Sequence, residues 1–521
     1  MPALIIHGHF YQPPRENPWT GEVEFEPGAA PFHDWNERIY AECYAPNAVA
    51  DNYARISFNF GPTLLSWLEA HHKDTYEQIL AADKESRLQR SGHGNAIAQA
   101  YGHAILPLCN ERDRLTQVVW GIADFRFRFG REPEALWLPE TAANDATLAL
   151  LIEKGLRYVI LAPEQAKRIS ATRVRRSEEG RTSEEGGNAP ASDESGGVAP
   201  FLTAASSPEW IDVGGSKIDT TKPYRFEHPD GSGRSIAIFF YDGPLARAIA
   251  FEHALSSSRG LVERFMHVAQ RGDLVNVATD GETYGHHFKF GELGLAYALG
   301  VEAKKAGFWI TNYGEYLERN PPEFAVEIDN GVAGEGSSWS CAHGVSRWTR
   351  DCGCHTGGEV GWNQAWRDPL RVALNFLRDD AATKFETAGS ELLRDPWAAR
   401  NDYVSVLLDP LPERESFLAR HAVRPLSELD ERRVCQLLEM QRSALLMFTS
   451  CGWFFSDLAG IETVQILRYA ARLIDLQTQL GFAVPRERFL ELLAAAKSNR
   501  PEKGNGAEIF LRLAEPVLSH G

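Results

Sequence analysis

The chain predicts an α/β fold followed by a helical region, and three observations carry that reading. The first 165 residues alternate short apolar runs with longer amphipathic segments, the rhythm of parallel βα units. Two apolar runs stop abruptly at acids, residues 135–138 before Pro139-Glu140 and residues 274–279 before Asp280-Gly281-Glu282. Beyond about residue 365 strand signals cease, and apolar residues recur at helical spacing.

Taken in order, residues 4–7 form a first apolar strand and residues 56–60 a second, closed by Gly61-Pro62. Residues 63–80 have helical periodicity, with Leu64, Leu65, Leu68 and Ile79 on one side. A strand over 135–138, a helix over 145–154 closed by Gly155 and a strand over 158–161 complete the repeat. Residues 171–200 break it. They are dominated by Arg, Ser, Glu, Gly and Asn, too polar to offset ordering entropy, and are expected to be a disordered surface insertion. Strands resume over 211–213, 236–241, 274–278 and 308–310, with a helix over 293–306. Helices are predicted over 370–377, 434–448, 463–480 and 486–497. Three divisions follow: a strand-bearing unit over 1–330, a Cys- and Trp-rich loop region over 331–365, and a helical domain over 366–521.

The bulk properties narrow the function. A chain of 521 residues with 43% apolar content supports a sizeable core, and a net charge of −17 leaves no basic footprint for nucleic acid. Thirteen Trp and fifteen Tyr offer aromatic faces that suit sugar rings, though most belong in a core. Residues 1–6 lack the basic start of a secretory signal, and no run approaches the ~20 apolar residues of a membrane helix. Seven cysteines without such a signal imply reduced thiols and a cytoplasmic protein.

Glu140 and Asp280 each stand at the carboxyl end of a strand, where side chains of α/β proteins point into the functional crevice. An acid at each of two such ends is what glycoside hydrolysis requires. The competing reading makes each acid the cap of a following helix. His7 and His9 share one face of the first strand and, with Gln12, either contact sugar hydroxyls, hold a metal or serve structure. His103 lies in a second polar cluster with His93. Asp242, closing the strand over 236–241, either binds a substrate hydroxyl or pairs with an arginine such as Arg247. Cys341, His343, Cys352 and Cys354 could form a Cys3His zinc set, with His355 as a substitute; inert thiols and a disulfide are the alternatives. Trp339 and Trp348 lie in the same stretch as candidates for stacking on sugar rings. Trp453, in an aromatic loop between two helices, either packs in the core or walls a cleft.

Four of these segments, His7-Gly8-His9-Phe10-Tyr11-Gln12-Pro13, His103-Ala104-Ile105-Leu106-Pro107-Leu108, Trp137-Leu138-Pro139-Glu140 and Asp280-Gly281-Glu282, resemble in order and spacing the first four sequence regions of glycoside hydrolase family 57. Ala104 stands where the family has proline. The resemblance implies a (β/α)7 barrel closed by a helical C-terminal region and a retaining mechanism on α-glucans, with no cofactor needed for catalysis. It implies Glu140 as nucleophile and Asp280 as general acid/base, with His7, His9, Gln12 and Trp137 lining the cleavage subsite. Glu282 would supply negative charge, bind substrate or replace Asp280 as proton donor. The expected partner is an oligo- or polysaccharide, with neither nucleic acid nor membrane. The alternative is a metal-dependent hydrolase of the polysaccharide deacetylase or α-mannosidase type using His7 and His9. A non-catalytic glucan-binding protein is the third reading.

Overall fold

Strand β1 (Ala3–Phe10) is buried at every position, which a strand flanked by neighbours on both edges and covered on both faces must be. The computed structural model describes residues 1–172 and 209–514; from residue 173 onward, the insertion expected over 171–200 lies outside the described residues. The remaining strands are β2 (Ser57–Phe60), β3 (Ala98–Gln99), β4 (Leu136–Trp137), β5 (Tyr158–Leu161), β6 (Ala166–Ser170), β7 (Trp210–Asp212), β8 (Tyr224–Glu227), β9 (Ser235–Phe240), β10 (Leu274–Asp280), β11 (Trp309–Ile310) and β12 (Val326–Ile328).

The pairings are mostly parallel, as the strand–helix alternation requires. β1 pairs with β10 along its length and with β2 at its carboxyl end, while β11 joins its amino end. β3 pairs with β4 and β5 with β9, again in parallel. Single parallel bridges, Phe58 with Ala96 and Ala135 with Tyr158, connect β2 towards β3 and β4 towards β5. Between β9 and β10, Asp242 N donates to Asn276 O at 2.9 Å and Asn276 Nδ2 to Phe240 O at 3.2 Å. The antiparallel strand β8 borders β9, and β12, β6 and β7 form a separate antiparallel sheet.

Most expected elements are present, and the departures have local causes. The helix expected over 63–80 is two, Pro62–His71 and Lys73–Gln89. At the break, the His72 ring stacks on Tyr40 at 3.5 Å and its Nε2 lies 3.1 Å from the Glu37 carboxylate, contacts a continuous helix would not allow. β3 escapes periodicity because it has two residues, one of them polar; β6 and β8 mix exposed and buried positions, and β12 has only three residues. The unforeseen helix Glu111–Phe129 is delimited by Asn110, whose side chain accepts from Asp113 N, and by Gly130 at φ 63°. Gly121 lets this helix lie against β3, since a Cβ there would stand 1.9 Å from Gln99 O.

From Arg367 onward the described structure is helical. Arg367–Gly389, Glu428–Leu446 and Ile461–Gln479 pack on one another around Leu374, Leu377, Leu438, Ile466 and Leu473. The same core takes in Tyr101, Ala104, Trp120 and Ala142 from the strand-bearing part, so it extends beneath the loops that follow β3 and β4. No described helix is long and apolar enough to cross a membrane.

Candidate active site

Parallel register brings the polar residues of neighbouring strands side by side. In β1 and β2, His7 lies opposite Ser57 and His9 opposite Asn59. His7 Nδ1 is 3.1 Å from Ser57 Oγ and its Nε2 3.0 Å from Asn59 Oδ1. Asn59 also contacts His9 Nδ1 at 2.9 Å through Nδ2 and donates to Gln99 Oε1 at 2.7 Å. The rings of His7 and His9 each stack on Trp137 with centroids 4.9 Å apart. Burial pushes both imidazoles down to about 3, so they stand neutral and act as hydrogen-bonding groups.

His103 joins this layer from the loop after β3. Its Nε2 lies 3.1 Å from His9 Nε2, its Nδ1 2.6 Å from Ser450 Oγ, and its ring stacks on Tyr11 at 3.7 Å. Both nitrogens of each of the three histidines thus have protein partners. The described group of His, Cys, Asp and Glu side chains close enough to share a metal lies elsewhere, which removes support from the reading of His7 and His9 as ligands.

Glu140 follows β4 in a turn no helix continues. Glu140 and Thr141 have φ of 59° and 51°, a conformation that costs non-glycine residues on the order of 1–3 kcal/mol. Gln165 over-determines it: its amide accepts from Thr141 Oγ1 at 2.8 Å and donates to Thr141 O at 2.8 Å and Ser337 O at 3.0 Å. The half-buried Glu140 carboxylate accepts at Oε2 from Trp339 Nε1 at 2.9 Å and Ser340 Oγ at 2.7 Å. Burial raises its pKa, while Ser340, Trp339 and the nearby Arg347 charge oppose the rise.

Asp280 ends β10, in register with His9 on β1. Asp280 is exposed, and its side chain accepts no cap hydrogen bond from the turn it begins. Desolvation by the surrounding walls, followed by the charges of Glu282 and Glu140, pushes it well above the usual carboxylate range. Gly281 behind it admits the Phe10 ring, which a Cβ would meet at 2.3 Å. Glu282 points away and is buried, its Oε1 accepting from Tyr44 Oη at 2.7 Å and Tyr11 N at 3.1 Å. Burial pushes Glu282 up to about 7 against the pull of those donors.

The helix-cap reading therefore fails for Glu140 and Asp280 and holds for a third acid. Asp242 accepts from Leu245 N at 2.9 Å as the cap of helix Gly243–Phe251 and pairs through its other oxygen with Arg271, not Arg247. With both oxygens engaged, it corrects the expectation of a substrate contact. Trp453 is likewise placed elsewhere, stacked on Phe448 within the helical core and 1% exposed, and Trp348 is fully buried. Apolar burial outweighs the glycine hinge that suggested a cleft wall. Trp339 stays at the site, edge-on to Trp137 at 5.3 Å, with its indole committed to Glu140. Gln12 donates to Tyr11 O at 2.9 Å and accepts from Arg15 at 3.2 Å.

The sequence reading passed over Asn59, Gln99, Tyr11, Gln165, Ser340 and Arg347. For Asn59 a signal was available, a polar residue on the buried face of a strand, two positions after Ser57. Ser340 carries none, because its partner Glu140 is 200 residues away.

Strand-end carboxyl groups with contrasting surroundings, beside neutral imidazoles and an indole layer, define a carbohydrate-cleaving class of site. Glycosyl hydrolase family 57 matches residues 32–329, more than half of the chain, and the chain belongs to that family. A domain of unknown function, DUF3536, matches residues 362–520. Among solved structures, an exo-type maltose-forming amylase from Pyrococcus sp. ST04 is similar with a TM-score of 0.66 at 13% identity, over 95% of this chain and 82% of that one. A branching enzyme from Thermococcus kodakaraensis has a TM-score of 0.53 at 15% identity, over 96% of this chain and 95% of that one. These likenesses concern the fold. Alpha-amylase 1 of Dictyoglomus thermophilum is 23% identical over 106 residues, 20% of this chain and 15% of that enzyme.

Proposed function

We propose that the chain is a retaining glycosidase or transglycosylase acting on α-linked glucans, with Glu140 as nucleophile and Asp280 as general acid/base. One contrast carries this reading. Glu140 receives two hydrogen bonds that stabilise its anion, whereas burial and the charges of Glu282 and Glu140 push the Asp280 carboxyl well above the usual carboxylate range. Such a difference in surroundings supports Asp280 as the acid and Glu140 as the nucleophile. In the first step Asp280 protonates the departing glycosidic oxygen while Glu140 forms a glycosyl ester; Asp280 then deprotonates the incoming water or sugar hydroxyl. This chemistry needs no cofactor.

His7, His9, His103, Trp137 and Gln12 form the wall of the cleavage subsite in this reading. Tyr11 Oη, Gln99 Nε2 and Trp137 Nε1 are buried there without a hydrogen-bond partner among the described residues, and they offer groups to sugar hydroxyls. Glu282 acts through charge and packing. The relatives named for maltose formation and branching support α-glucans as the substrate class. The succession of parallel contacts from β1 through β2, β3, β4, β5, β9 and β10 supports counting these strands as a (β/α)7 barrel. The barrel would occupy residues 1–330, the loop region 331–365 and the helical domain 366–521. Seven free thiols are consistent with the cytoplasm.

Incubation with maltooligosaccharides of increasing length, with the products resolved by size, tests the proposal. Shorter products mean hydrolysis, and a redistribution of lengths means transfer. No change with any linear or branched α-glucan would overturn it.

A further inference from the structure

Outside the carboxylate site, the loop after β12 gathers four metal-ligating side chains. Cys341 Sγ lies 3.8 Å from Cys352 Sγ and 3.8 Å from Cys354 Sγ, and Cys354 Sγ lies 3.6 Å from His343 Nδ1. All four ligand atoms fall within 4.8 Å of one another. We propose that Cys341, His343, Cys352 and Cys354 bind a zinc ion, and that this centre fixes the loop from which Trp339 and Ser340 reach Glu140.

The spacings suit such a centre. Tetrahedral zinc with Zn–S bonds near 2.3 Å and a Zn–N bond near 2.0 Å separates its ligands by roughly 3.5–3.8 Å. The competing disulfide would draw two sulfurs to about 2.05 Å and abandon the third. Here Cys341 stands equally far from both others, and all three are free thiols. The backbone delivers them. Gly353, at φ 79°, turns the chain between Cys352 and Cys354, and Asp351 braces that turn by accepting from Gly353 N at 3.1 Å. His355 turns instead to its own loop, contacting Gly357 O at 3.2 Å, which leaves His343 as the fourth ligand.

Charge supplies an independent argument. Arg347 and Arg367 are buried at 5% and 0% exposure beside the thiols, and neither forms an ion pair with a carboxylate among the described residues. Their N–H groups go to the carbonyl oxygens of Ser340, Cys354 and Phe454. Buried cations require nearby anions; the Glu140 carboxylate lies near Arg347, and the thiols lie near both guanidinium groups. On binding Zn2+, three thiols release three protons to solvent and the neutral imidazole adds its lone pair, leaving a centre of net charge −1 between the guanidinium groups.

The consequence for the active site follows from the chain path, and this step rests on the reading of Glu140 as nucleophile. Cys341 directly follows Ser340 and Trp339, the two donors to Glu140 Oε2. Arg367 Nη1 donates to Cys354 O at 2.9 Å, and Thr356 N donates to Ser456 Oγ at 3.0 Å, which fasten the other end of the loop to the helical region.

The test uses the full chain purified without chelators. Elemental analysis is expected to find about one zinc per chain, and a Cys352→Ser/Cys354→Ser variant to lose it. Replacement by cobalt(II) in the wild-type protein is expected to give a thiolate charge-transfer band and intense tetrahedral absorption; this measurement decides the site if the variant does not fold. Stripping the metal is expected to lower kcat about tenfold or more, with KM changing less, and added zinc to restore it. Less than about 0.1 zinc per chain with no cobalt–thiolate band, or a disulfide within the cluster, overturns the site. Unchanged kcat after complete stripping overturns the link to Glu140. A zinc-loaded protein inactive on every α-glucan would instead count against the glycosidase reading.

Discussion

The Tyr44 hydroxyl donates to Glu282 Oε1 at 2.7 Å, and the Tyr11 backbone N–H meets the same oxygen at 3.1 Å. Two donors to one buried oxygen fix Glu282 as part of the wall. Asp280, two residues earlier, is left as the exposed carboxyl group of the pair. The alternation of side chains along an extended chain does not separate these residues, since positions two apart share a face. The short turn Gly281–Thr283 that follows Asp280 does.

Glu140→Gln is expected to reduce kcat by roughly three orders of magnitude or more while leaving the circular dichroism spectrum and glucan binding nearly unchanged. The amide keeps a carbonyl oxygen for Trp339 and Ser340 but cannot attack the anomeric carbon. Rates close to wild type would remove Glu140 from the nucleophile role.

Asp280→Asn is expected to abolish cleavage of maltooligosaccharides and to spare formation of the glycosyl ester from aryl α-glucosides, whose leaving groups need little protonation. Equal loss on both substrates would argue for a role other than proton donation. Glu282→Gln removes a charge that raises Asp280, so the alkaline limb of the kcat/KM profile is expected to move to lower pH. A limb that stays in place would disconnect the two groups.

Glu282 also makes stability depend on pH. It holds its proton more tightly in the folded chain, at about 7 against 4.5 for an ordinary glutamate. Its contribution is therefore fully present below about pH 4.5 and is lost as pH rises through about 7. Thermal unfolding of wild type and Glu282→Gln should show the wild-type advantage shrinking across that window. An advantage that grows with pH contradicts the assignment.

Asp242→Ala should lower stability by about 1–2 kcal/mol through loss of the helix cap, with kcat and KM little changed. Denaturant melts and steady-state kinetics on one preparation distinguish this from a substrate contact, which would raise KM at unchanged stability. Gln165→Ala is expected to act on both: it releases the turn that holds Glu140 and leaves buried partners unmatched, at a cost of about 1–3 kcal/mol. Undiminished activity in that variant would show that the turn holds without the amide.

How much was legible follows from the range of each signal. β1, β5 and β10 were readable because each is a predominantly apolar run with clear ends, and Glu140 and Asp280 because they stand where such runs stop. The cysteine cluster was legible from its spacing, since Cys341, His343, Cys352 and Cys354 lie within one loop. β3 and the helix Glu111–Phe129 were not, the first too short for periodicity and the second weakly amphipathic beside a polar cluster. The opposite fates of Asp242 and Asp280 were equally hidden. Both follow apolar strands, and only the positions of Leu245 N and Arg271 distinguish them.

By itself the sequence determined the alternation of strands and helices, the helical C-terminal part and the family, because these depend on composition and on patterns a few residues long. The tertiary structure decided which acid stays exposed, which indole reaches Glu140 and which tryptophan is buried. Those outcomes depend on hydrogen bonds such as Trp339 to Glu140, whose partners are 199 residues apart and meet only when the chain has folded.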